Sequence, residues 1–112
     1  MKHQYTVYII TNQNKTVLYT GVTNDLAQRL VEHYLNRGKV GTFAGKYHCF
    51  YLLYHESHRY IRNAIEREKE IKSWYRAKKE ELIREFNPEF LFLNSEVLEW
   101  PPKEAFTRNE GV

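Results

Sequence analysis

Five side chains in this sequence could carry a reaction between them: Tyr8, Tyr19, Arg29, His33 and Glu68. A tyrosine hydroxyl can carry a proton, and a guanidinium can grip a phosphate with two donors. A carboxylate can hold a magnesium ion, which needs few protein oxygens and keeps several waters. Each residue also has a plainer reading. Tyrosine favours strands, where its ring packs. Arg29 can snorkel outward or pair with Glu32, and Glu68 can pair with Lys72 one helical turn on. A tyrosine base faces a cost of its own. With a reference pKa near 10, only about one tyrosine in a thousand is ionised at pH 7. Lowering that pKa by about three units takes ~4 kcal/mol of stabilisation, for which Arg29, Lys46 or a divalent cation are the candidate sources.

Local patterns suggest how these residues are held. Residues 5–10 are rich in tyrosine, valine and isoleucine and predict a first strand. Residues 11–15 have turn chemistry, and residues 17–22 return as a second strand, giving a hairpin. Alternation puts Thr6, Tyr8 and Ile10 on one face, and Val17, Tyr19 and Gly21 on one face of the partner. Thr23, Asn24 or Asp25 can cap a helix that Gly38 ends. In that helix Leu26, Leu30 and Tyr34 form an apolar stripe, with Arg29 and His33 beside it one turn apart. Residues 39–46 read as a loop. His48 to Glu56 reads as a third strand, apolar enough to be the central one. Residues 59–86 are helical in pattern and heavily charged, with a break near Ser73 to Arg76 and a stop at Asn87-Pro88.

At 112 residues the chain is expected to form one domain with a modest core. A net charge of +3 and a pI near 9.0 lean towards a polyanionic partner. Cys49 is the sole cysteine, which excludes a disulfide framework and a cysteine-based zinc site. The five histidines match no zinc spacing. The start, Met1 to Tyr5, lacks the apolar core of a signal peptide, and no apolar run is long enough to span a bilayer. A cytoplasmic location without membrane attachment is the expectation.

Thr6-Val7-Tyr8, ten intervening residues and Tyr19-Thr20-Gly21 resemble the two halves of the GIY-YIG nuclease motif. Arg29 and His33 fall where that family places its helix arginine and a following histidine, and Glu68 is similar to its metal-binding glutamate. The likeness runs over roughly residues 5–90 and is nearest to small stand-alone bacterial members, related to the N-terminal domain of excinuclease C. A Lys46-Tyr47 pair before the third strand belongs to the same pattern. The sequence departs from the literal motif at Thr6-Val7 and Thr20, all strand backbone positions. A family asparagine beyond the glutamate has no match except Asn87, by proximity.

The resemblance implies an α/β fold, a three-stranded antiparallel sheet flanked by helices in ββαβαα order. It implies hydrolysis of a DNA phosphodiester with one Mg2+ or Mn2+, in the setting of repair or recombination, with RNA as the alternative substrate. Tyr8 would be the general base, with Tyr19 positioning the water or sharing that role. Arg29 would stabilise charge on the phosphate and Glu68 would hold the metal. His33, Lys46, Tyr47 and Lys72 would support through hydrogen bonds or phosphate contacts. The nuclease-like domain is placed at residues 1–90, followed by a tail, 91–112, packed at first and frayed after about Lys103. Specificity would come from a partner protein, and the chain would act as a monomer or weak dimer. The rival reading from another class is a silent nucleic-acid-binding module of the same fold. An RNA-recognition-type sheet using Phe50, Tyr51 and Tyr54 would need a different order of elements.

Overall fold

The computed structural model describes residues 4–103; His3 and the segment expected to fray after Lys103 lie outside the described residues. Strands β1 (Tyr5–Thr11), β2 (Leu18–Thr23) and β3 (Tyr51–His58) form one antiparallel sheet in the order β2-β1-β3. Helix α1 (Leu26–Leu35) and the single-turn α2 (Phe43–Lys46) lie between β2 and β3. Helices α3 (Ile61–Ser73), α4 (Arg76–Phe86) and the single-turn α5 (Asn94–Val97) follow. The expected fold class holds, with α2 and α5 added to the order. Among the described residues no helix is long and apolar enough to cross a membrane.

The central strand is β1, not β3. Val7 to Ile10 are buried without a break, as a strand covered on both faces requires. β3 looks central in sequence because its outer edge is also covered, by the chain beyond residue 90. Leu93 N–H donates to the Leu52 carbonyl at 2.8 Å, Leu52 N–H donates to Asn94 Oδ1 at 2.7 Å, and Asn94 Nδ2 donates to the Phe50 carbonyl at 2.8 Å. Backbone groups of an edge strand that would otherwise seek another chain are thus satisfied internally. The β1–β3 register shifts between Ile9 and Ile10, leaving Leu53 as an extra residue. Asn87 Nδ2 donates to the Leu53 carbonyl at 3.1 Å and to that of Leu91 at 2.9 Å, while its Oδ1 accepts from Leu91 N–H. Asn87 is therefore committed to the backbone.

Each face of the sheet has its own core. Val7, Ile9, Leu53 and Tyr54 pack with Ala64, Ile71 and Ile83 of α3 and α4. Tyr8, Ile10 and Leu52 pack on the other face with Leu30, Ala44, Cys49 and Leu93. The hairpin turn is closed by Asn12, whose Oδ1 accepts from Thr16 and Val17 N–H, and Lys15 takes the left-handed conformation at φ 58°. Between α3 and α4 the chain is extended at Trp74 and Tyr75, which is the break expected there.

Candidate active site

The hairpin register pairs Tyr8 with Gly21 and Ile10 with Tyr19, so both tyrosines project from the α1 face as diagonal neighbours. The glycine has a specific reason. A β-carbon on Gly21 would lie 2.5 Å from the ζ carbon of Tyr8, and closer still to its hydroxyl oxygen. Only a residue without a side chain lets the Tyr8 ring cross β2 and point its hydroxyl at α1.

Asp25 starts α1 by accepting from Gln28 N–H at 3.1 Å. This fixes the phase of the helix and brings Arg29 and His33 over the tyrosines. Tyr8 is 1% exposed and its hydroxyl lies 2.8 Å from His33 Nε2. His33 is 6% exposed, and its ring also meets Tyr19 at 5.6 Å between centroids. Burial, with Arg29 second, pulls the His33 pKa down to about 4, so its ring is neutral at pH 7. Burial also pushes Tyr8 up to about 12, against the opposing pull of the adjacent Arg29. The expected lowering of a tyrosine by Arg29 is outweighed here by desolvation. The cation acting on Tyr8 is Arg29, while the Lys46 ammonium sits 5.3 Å from the centre of the Tyr47 ring.

A neutral His33 ring can accept the phenolic proton of Tyr8 at Nε2. The Arg29 guanidinium itself is half-exposed and pairs with Glu32 at 2.8 Å. Burial lowers the Arg29 pKa, but hydrogen bonds with Glu32 and Tyr8 outweigh that and hold it above its usual value. The plain reading of Arg29, an ion pair with Glu32, is present, and a surface pair of this kind is worth only about 0–1 kcal/mol.

Glu68 approaches from the other side. α3 packs on the opposite face of the sheet, and Glu68 reaches the β2 edge with its side chain 14% exposed. Lys72 Nζ lies 2.7 Å from its carboxylate and 5.8 Å from the centre of the Tyr19 ring. Lys72 thereby links the glutamate to the tyrosine cluster. Among the described residues no three His, Cys, Asp or Glu side chains converge as a metal cage. The single, nearly buried carboxylate suits a hard ion that keeps water and takes further oxygens from a phosphate. Lys72 stands as the internal competitor for that carboxylate.

Residues 39–46 are more ordered than a loop reading suggests. Thr42 caps α2, accepting from Gly45 N–H at 3.0 Å, and sets Phe43 against Tyr19 and Tyr47. Phe43 is a neighbour of the site that motif spacing does not point to. Its signal is a threonine cap followed by aromatics at Phe43 and Tyr47, one helical turn apart.

A family model described as the GIY-YIG catalytic domain matches residues 4–81, which span Tyr8 through Glu68. A UPF0213 protein of Bacillus pumilus (strain SAFR-032) is 35% identical over 88 residues, covering 79% of this chain and 87% of that protein. No solved structure matches. With the motif tyrosines, their glycine and the helix arginine in one cluster inside the matched span, the chain belongs to the GIY-YIG nuclease family.

Proposed function

We propose that this protein is a divalent-metal-dependent endonuclease that hydrolyses DNA phosphodiester bonds, in repair or recombination, in the cytoplasm. One observation carries the reading: the buried Tyr8 hydroxyl lies 2.8 Å from Nε2 of a neutral His33, in the field of the Arg29 guanidinium. Free phenolate is the expensive route. Ionising Tyr8 at pH 7 from a pKa of about 12 costs about 7 kcal/mol, whereas protonating His33 from about 4 costs about 4 kcal/mol. Tyr8 is therefore a relay. It takes a proton from the attacking water as it passes its own to His33 Nε2, staying neutral throughout. Arg29 turns from Glu32 to the phosphate and stabilises the charge that develops there. A phosphate beside Arg29 also offsets the positive field on His33, making it a better proton acceptor. Tyr19 holds the imidazole edge-on and orients the water. Glu68 would hold magnesium or manganese, which when bound would supply Lewis-acid polarisation and charge for the leaving oxygen. Lys72, released from Glu68, becomes free to contact phosphate. Residues 1–90 carry the catalytic unit, and Leu93 and Asn94 just beyond it serve the sheet edge rather than the chemistry.

Incubating the pure protein with supercoiled, nicked and branched DNA plus Mg2+ or Mn2+ tests this reading. Cleavage that Glu68→Ala and Arg29→Ala abolish is expected; no cleavage, or cleavage that survives both changes, overturns it. A silent binding module is the second reading, favoured by the seating of Lys72 on Glu68. A divalent-metal titration separates the two, since the module would keep DNA affinity without binding metal.

A further inference from the structure

We propose that Phe43 and Tyr47 form a stacking platform for an unpaired DNA base beside the scissile phosphate, which makes single-stranded or branch-point DNA the substrate class. The inference deepens the nuclease reading and rests on it. Its basis is how α2 is seated. The Gly45 carbonyl accepts from Gly38 N–H at 2.8 Å and from His48 N–H at 3.1 Å. A β-carbon on Gly45 would lie 2.6 Å from the Lys39 carbonyl oxygen and 2.7 Å from that of Asn36. The backbone of this turn is therefore pressed onto the end of α1, with Ala44 and Gly45 inward. Phe43 and Tyr47 are left outward, 51% and 39% exposed.

Side chains that served only to pack this turn would be covered. These rings instead extend a row that begins in the site. Tyr19 faces His33 on one side and stacks on Phe43 on the other, at 6.1 Å and 24°, and Phe43 lies 4.9 Å from Tyr47. Cations flank the row: Lys72 lies over Tyr19 and Lys46 over Tyr47. Half-exposed aromatic rings bordered by ammonium groups match a nucleotide, which presents a flat base and an anionic linkage together. An apolar peptide would offer no anion to Lys46, which lies over Tyr47. In a duplex both faces of a base are covered by its neighbours, so stacking here requires a nucleotide already out of the helix. A platform on fixed backbone also loses little freedom on binding.

The test is binding without metal, which separates this inference from catalysis. Fluorescence anisotropy would compare a labelled single strand of about 12 nucleotides with a blunt-ended duplex of the same length, on wild type, Phe43→Ala, Tyr47→Ala and Phe43→Trp. Wild type and Phe43→Trp should favour the single strand. Each alanine should weaken single-strand binding on the order of 10-fold, within the range for one lost base–aromatic stack, and leave the duplex within about twofold. Removing one base from the ligand as an abasic site should cost a similar factor in wild type and little in Phe43→Ala. Equal affinity for the two ligands, or equal losses for both on truncation, overturns the platform. Cleavage of DNA alongside such a result would leave the nuclease reading standing, and selective stacking without cleavage would do the reverse.

Discussion

The sheet carries two clusters of the same residue types, one on each face. On the α1 face Tyr8, His33, Arg29 and Glu32 meet; on the α3 face Tyr54, His58, Arg67 and Glu56 do. The difference lies in what occupies the middle. Glu56 sits at the centre of its cluster, accepting from Tyr54, from His58 at 2.6 Å and from Arg67 at 3.0 Å. Burial pushes its pKa up, but these three donors outweigh that and hold it below the usual carboxylate range. Burial and Glu56 together raise Tyr54. Every charge there has an internal partner, so the cluster staples β3 to α3 and asks nothing of a ligand. The centre of the other cluster is a neutral imidazole, and its carboxylate lies out at the half-exposed Glu32. Among the described residues Arg29 pairs with a solvent-facing carboxylate, the arrangement that the proposed phosphate contact would exploit. Residue type alone does not distinguish a staple from a site.

The tyrosine pair gives the largest contrast. Tyr8→Phe should lower kcat about 10²–10⁴-fold, the range for losing a positioned proton carrier. Tyr54→Phe should leave kcat within about twofold, and steady-state cleavage of one DNA substrate compares them. Next come the arginines. Arg29→Ala should cost about 10²–10³-fold in kcat, whereas Arg67→Ala should act on the unfolding midpoint and not on turnover. If Arg67→Ala matched Arg29→Ala in turnover, the division of labour between the faces would fail.

The histidines sharpen the contrast through pH. The folded His33 pKa, about 4, lies below its ordinary 6.5, so the unfolded chain binds more protons between these values. Stability contributed by neutral His33 is present above pH 6.5 and lost as pH falls to about 4, by up to about 3 kcal/mol. Urea unfolding of His33→Gln should lack that slope, and an unchanged slope would contradict the buried neutral ring. Glu56 has a depressed pKa, so its contribution holds above the unfolded carboxylate value and declines at lower pH still. Smallest is Glu56→Gln, expected to destabilise by about 1–3 kcal/mol at pH 7 through weakened donors. Thermal unfolding reads it, with cleavage unaffected.

Much of the local order is legible in the residues alone. Strand alternation marks both halves of the hairpin, the capping run Thr23-Asn24-Asp25 marks the start of α1, and helical spacing puts Arg29 and His33 on one side. These are short-range regularities, with periods of two and about 3.6 residues. Packing between distant segments settles the rest. It places β1 in the middle, because the cover on the β3 edge comes from Asn94, whose side chain bonds the backbone 42 residues earlier. It joins Tyr8 to Gly21 through the register, and carries Glu68 around the β2 edge from the opposite face. It turns the expected lowering of Tyr8 into a rise, because desolvation depends on everything packed around a group and no local pattern encodes it. It also separates Arg29 from Arg67, which look alike in sequence and differ in how far the carboxylate that meets each is withdrawn from solvent.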